Sequence, residues 1–168
     1  MHSYLLHPDI HFATQFPGEN IILVLRAHPI TQIPWVFNAV IAIFVIFFIN
    51  FFLPQFLSVK EIIFFNLFFV SLIFSYLFLN FFIWFFNVGI VTDKRIIDVD
   101  ISSIIYKEVS EAWLSKVEDT TAKSGGFFSA FFNYGNVFIQ TAGTEINIEF
   151  VNAPDPNEVV KTINNLLK

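Results

Sequence analysis

The chain contains no cysteine, which excludes disulfide scaffolds, thiolate metal sites and cysteine nucleophiles together. Charge is scarce. Asp, Glu, Lys and Arg make up 14% of the residues, well below the usual quarter, and the formal net charge is −5. A nucleic-acid binder needs a basic footprint to displace counterions from phosphates, so that class is excluded. Phosphate-cradling glycine loops, a Gly-x-Ser-x-Gly elbow, zinc signatures and dinucleotide turns are also missing, and no two acids stand out as a catalytic couple. His7 and His11 have the spacing of metal ligands on a helix. Pro8 and Asp9 between them oppose a continuous helix, however, and no third ligand is near. The expectation is a protein that is not an enzyme and uses neither metal nor cofactor.

What is abundant is apolar surface. Hydrophobic residues make up 55% of the chain, and 25 residues are Phe. Two uncharged runs concentrate them, Ile33 to Leu53 and Ile62 to Phe86. Each exceeds the ~20 residues that a helix rising 1.5 Å per residue needs to cross the hydrocarbon core. Both are apolar all round, unlike the one-sided helices of a soluble core. The first run starts too far in, and is too long, for a secretory leader. Between them "PQFLSVKE", with Pro54 and the Lys60-Glu61 pair, suits an interfacial turn. The segment 33–86 is therefore expected to be a transmembrane helical hairpin, preceded by an N-terminal segment, 1–32, and followed by a folded domain, 87–168.

Orientation follows from the flanking charges. Arg26, Lys94 and Arg95 lie on the terminal side against Lys60 alone in the turn, which by the positive-inside rule puts both termini in the cytoplasm of a multi-pass plasma-membrane protein. Trp35 opens the first span and Trp84 closes the second, so in a hairpin both fall at one interface, like an aromatic belt. In the same hairpin the depths of Asn38 and Asn80 match, as do those of Asn50 and Asn66. With no ionisable residue in either span, these amides, with Ser71 and Ser75, read as interhelical hydrogen bonds rather than an ion path.

After Phe86 the apolar period shortens to two. "VGIVTD" and "RIIDVDI" read as strands joined by a polar tip at Asp93-Lys94, and "YKEVSEAWL" and "KVEDTTAKSG" as two more. "NVFIQTAGTEINIEFV" reads as a hairpin turning at Gly143, with Val137, Ile139 and Ile146, Ile148, Phe150 alternating on one face. "DPNE" announces a final helix, with Asp155 as N-cap, Pro156 at the first position and Glu158 completing a capping box. Val159, Val160, Ile163, Leu166 and Leu167 then form its apolar face. Six or seven short strands followed by one amphipathic helix make an α+β pattern in which the sheet curls and the helix covers its open end.

The order and spacing of "VTDKRIIDVD", "VSEAWLSKVEDTTAKSG", "FFNYGNVFIQTAG" and "NAPDPNEVVKTI" resemble the bacterial pleckstrin-homology-like (YdbS-like) membrane proteins. In that family a "PGE…RxHP" segment precedes a transmembrane pair and a PH-like domain; here it is "PGENIILVLRAHP", Pro17 to Pro29. The resemblance implies a partly open β-barrel capped by the C-terminal helix. It implies an adaptor for proteins or lipids and no reaction.

Two surfaces are candidate contacts. Lys94 and Arg95 follow the second span closely enough to meet lipid headgroups, each basic residue near an anionic surface contributing about 1 kcal/mol; Arg26, Trp35 and Trp84 flank the same interface. Residues 87–168 carry eleven Asp/Glu against seven Lys/Arg, however, so no broad basic surface supports a phosphoinositide pocket. The second candidate is "GGFFSAFFNYG", in which Phe127, Phe128, Phe131 and Phe132 recur at helical spacing. It reads as a connecting helix packed on the barrel, or as an aromatic surface that dips into the bilayer or meets a partner, with Phe138 extending it. Trp113 reads as a sheet-surface residue. The leading expectation is a non-catalytic, membrane-tethered adaptor that binds a protein partner or a second copy. The alternatives are recognition of anionic lipid headgroups, or an oligomeric subunit of a transport complex, since two helices alone enclose no path.

Overall fold

A computed structural model describes residues 3–101, 106–142 and 147–168. The chain forms two compact units, Gln32–Phe82 and a second built from Met1–Thr31 together with Ile83–Lys168. The first unit consists of helix α1 (Ile33–Asn50) and most of helix α2 (Val59–Phe86). Ser58 sets the start of α2 three residues before the expected span. Its amide and hydroxyl both donate to the Glu61 carboxylate, at 2.7 and 2.8 Å, which satisfies an otherwise orphaned helix-end donor. Both helices are long and apolar enough to cross a membrane. Ala39 is the only residue of either helix that is buried, and rings such as Phe44, Phe47 and Phe64 face outward. Asn50 and Asn66 exchange reciprocal amide bonds of 2.7 Å, as their matched depths imply. Asn80 instead donates to the Tyr76 carbonyl one turn back.

In the second unit, strands β1 (Tyr4–Leu6), β2 (Ile21–Leu25), β3 (Val88–Thr92), β4 (Arg95–Ile101) and β5 (Lys107–Trp113) form an antiparallel meander in chain order. Strand β6 (Val117–Lys123), helix α3 (Phe127–Phe132), β7 (Tyr134–Thr141) and β8 (Ile148–Pro154) give a second antiparallel sheet, and helix α4 (Pro156–Leu166) follows. The expected strands after Phe86 are therefore present, while the Gly143 turn and Ile146 lie outside the described residues. Among those residues no ladder joins the two sheets, so the expected partly open barrel takes the form of two unclosed sheets.

The alternating side chains explain the packing. Leu23, Val91 and Ile96 from the first sheet meet Val137, Ile139, Ile148 and Phe150 from the second, and Val159 and Ile163 of α4 enter the same core. Gly89 permits the approach: a Cβ there would come within 2.5 Å of the Phe150 ring. The other face of the first sheet carries Ile21, Val24, Ile90 and Ile97, against which Leu5 and Phe12 of the N-terminal segment pack.

Two expectations are corrected here. The segment 1–32 is not separate from the folded domain, because β2 pairs with β3 (Leu25 opposite Gly89, Val24 opposite Ile90) and β1 extends the edge. The unbroken apolar run "IILVL" is that of a strand covered on both faces, whose ladder partner lies more than sixty residues away in sequence. The capping box at α4 does not form either. Asp155 adopts a left-handed backbone (φ 45°) and makes no side-chain cap bond; its carboxylate accepts from the Asn133 amide instead.

Candidate functional site

Strands β2 and β3 fix where the charged and aromatic candidates lie. They are antiparallel neighbours, so the chain departs toward α1 from Leu25 and returns from α2 into Val88 at one end of the same strand pair. The last turn of α2 is bound at that end. Arg26 Nε donates to the Phe85 carbonyl at 2.8 Å with its guanidinium 5.0 Å from the Phe85 ring centre, and Trp84 Nε1 donates to the Ala27 carbonyl at 2.8 Å. Burial holds the Arg26 guanidinium below its ordinary pKa. Arg26 and Trp84 thus secure the junction, and Trp35 Nε1 donates to Gln32 Oε1 at 2.6 Å within α1's entry.

Lys94 and Arg95 sit at the opposite end. Five residues of β3 separate them from Asn87, roughly 15 Å of extended chain. Their proximity to the second span in sequence is therefore not proximity to its point of attachment. Arg95 is also 4% exposed, and the Glu19 side chain it pairs with is 0% exposed. Its Nε meets Glu19 Oε1 at 3.0 Å, Nη1 meets Glu111 Oε2 at 2.7 Å, and Nη2 donates to the Thr14 carbonyl at 2.5 Å. The guanidinium lies 4.2 Å from the Phe16 ring centre, and Phe16 stacks on Trp113 at 5.8 Å. Thr92 Oγ1 donates to Glu19 at 2.8 Å, and Asp93 accepts from the Asn20 amide and side chain at 3.0 Å.

This arrangement is a clasp that fastens the N-terminal loop to the β3–β4 turn. Burial alone raises the Glu19 carboxyl, but bonds from Arg95, the Phe16 amide and Thr92 outweigh it and hold the group below its ordinary value. Arg95 is raised because the same pairing with Glu19 and Glu111 outweighs desolvation. The Arg95 donors that the candidate headgroup contact would need are engaged within the fold. Lys94 is half-buried and its Nζ reaches the Pro17 carbonyl at 3.3 Å. No local signal marks Glu19 as the partner, since it lies 76 residues before Arg95.

Helix α3 inverts this pattern. Phe127, Phe128 and Phe131 are 77%, 65% and 71% exposed, so the expectation that α3 packs its aromatic face on the sheet is overturned; Ser129 is its buried residue, donating to the Tyr134 carbonyl at 2.5 Å. The rings pair among themselves, Phe127 stacking on Phe131 at 6.2 Å and Phe131 meeting Phe132 edge-on at 4.9 Å. Gly126 (φ 95°) and Asn133 (φ 52°) bound the helix in left-handed conformations, which cut it to under two turns. Phe138 does not extend this face. Half-buried on β7, it lies under Lys123 Nζ, 4.5 Å from its ring centre, and both line a shallow polar groove of about 320 Å³ that includes Asp119 and Glu149.

His28, to which the sequence assigns no role, lies against the strand that follows α3. His28 stacks on Tyr134, two residues beyond α3, at 5.7 Å, and its backbone amide donates to the Asn152 carbonyl at 2.8 Å. His28 Nδ1 accepts from the Ile30 amide at 3.2 Å. Burial lowers the imidazole pKa, against the opposing pull of Asp155. The "RAHP" motif contained the signal, a His directly before Pro29 at the entry to α1, but nothing in it named Tyr134. Tyr134, the first residue of β7, thus stands beside His28, three residues past the end of β2 that lies away from the clasp.

The model of the family described as "Bacterial PH domain" matches residues 29–167. Among solved structures, a DUF1696 family protein with a pleckstrin-homology domain from Shewanella loihica PV-4 is similar at 15% identity. The match covers 49% of this chain and 71% of that one with a TM-score of 0.39. No curated protein matches the sequence.

Proposed function

Because the chain belongs to the bacterial PH-domain family, we propose that it is an integral membrane protein whose helical hairpin holds a PH-like domain at the cytoplasmic face of the plasma membrane. The domain acts there as a non-catalytic adaptor for a protein partner. The observation that carries this reading is the insertion of α1 and α2 between neighbouring strands β2 and β3. Both ends of the apolar insert emerge at one edge of the folded domain, so an α-helical pair returning to its starting side is the connection that fits. The excess of Arg26, Lys94 and Arg95 over Lys60 favours cytoplasmic termini. Tethering also raises the effective concentration of the domain at the surface, so a modest contact area suffices for binding. Headgroup recognition at Lys94 and Arg95 is disfavoured by the burial of Arg95.

Photocrosslinking in native membranes, followed by alkaline carbonate extraction and mass spectrometry, tests the proposal. The expected result is a chain that stays in the membrane pellet and carries a protein adduct. Release by carbonate would refute the anchoring, and exclusively lipid adducts would replace the adaptor role with lipid recognition.

A further inference from the structure

We infer that α3 is a second, monotopic membrane contact, an aromatic foot that inserts Phe127, Phe128 and Phe131 into the interfacial region of the bilayer. The inference rests on the reading that α1 and α2 cross the membrane, and it adds a site that this reading does not require. Three observations lead to it. The three rings are 77%, 65% and 71% exposed, and the helix sequence "FFSAFF" contains no charge. Tyr134, two residues past its C-terminus, stacks on His28, directly ahead of the Pro29–Gln32 turn that leads into α1. The glycine pair Gly125-Gly126 and the left-handed Asn133 present the rings outward on a short projection rather than folding them onto β7.

The size of the patch selects the occupant. Three largely exposed Phe side chains offer on the order of 400 Å², about half of what each partner contributes to a standard protein–protein interface. That is too little for a stable dimer. It is ample for interfacial insertion, in which an apolar face sinks about 5–10 Å into the headgroup and acyl boundary.

The absence of cysteine makes the test direct. Single replacements Phe128→Cys, Lys94→Cys and Phe68→Cys, each labelled with an environment-sensitive fluorophore, are placed in the full chain reconstituted in phosphatidylcholine–phosphatidylglycerol vesicles. Quenching by brominated lipids and by aqueous iodide is then read for each. The Phe128 label is expected to be quenched by shallowly brominated lipid and to be about fivefold less sensitive to iodide than the Lys94 label. Quenching at Phe68 without quenching at Phe128 overturns the foot and leaves the spanning hairpin standing. No lipid quenching at either position overturns both. Protection of Phe128 from iodide without lipid quenching, accompanied by a crosslinked dimer, overturns the foot in favour of self-association.

Discussion

The β3–β4 clasp and helix α3 look interchangeable as short, chemically unusual clusters, yet the fold treats them in opposite ways. The clasp hides a cation: Arg95 is fully paired with Glu19 and Glu111 and covered by Phe12 and Phe16. Helix α3 displays its apolar rings. In a domain surrounded by water the reverse is usual, because charges are rarely buried unless paired and large apolar patches are rarely left open. The difference teaches that residue type alone does not identify a contact surface. What decides is whether the fold supplies a partner, and the N-terminal loop supplies one to Arg95 while, among the described residues, no sheet residue covers Phe127, Phe128 or Phe131.

The largest expected effect comes from breaking the clasp. Glu19→Ala leaves the Arg95 guanidinium buried with one carboxylate fewer, and removing one partner of a buried pair costs about 3–5 kcal/mol. Thermal unfolding of the purified full chain should show a midpoint lowered by roughly 10 °C; an unchanged midpoint would mean that the pair does not hold the N-terminal loop. Lys94→Ala, at the same turn but half-buried, supplies the contrast and should change little.

A smaller effect is expected from pH. Asp98 on β4 has its pKa raised from 3.8 to about 7, first by burial and then by Asp100, Glu108 and Glu149. A carboxyl raised in the folded state contributes stability that is fully present below its unfolded value and lost as pH rises through its folded one. Stability should therefore fall from about pH 4 to about pH 7, and level off above, by on the order of 2 kcal/mol. Asp98→Asn should flatten that slope. Glu19 works in the other direction: being lowered, it contributes stability above its unfolded value of 4.5 that is lost only as pH falls through its still lower folded one. The two effects occupy separate windows.

The smallest effect on folding should come from α3. Phe128→Ser with Phe131→Ser removes exposed rings, so the midpoint should move by no more than about 0.5 kcal/mol equivalent. A large loss would show that these rings pack on the domain after all, and would close the contrast with the clasp.

Much of the fold was legible in the sequence because its signals are local. The switch from uncharged helical runs to period-two alternation places every strand from Val88 onward, and Asp155-Pro156 marks the start of α4 even though the capping bond itself goes to Asn133. Strand β2 was not read, although "IILVL" has the pattern, because it stands apart from the other strands and its pairing with β3 spans the whole helical insert. The same distance hid the clasp: Glu19 and Arg95 meet only because β2 and β3 are neighbours. It hid the His28–Tyr134 stack as well.

By itself the sequence determined that two segments are long and apolar enough to cross a membrane and that the remainder is an antiparallel α+β domain, since hydrophobicity and its period are properties of contiguous residues. Only the tertiary structure decided which cluster faces outward. Burial depends on what the chain brings alongside from far away, and here it brought a glutamate to Arg95 and only the other rings of α3 to its aromatic face.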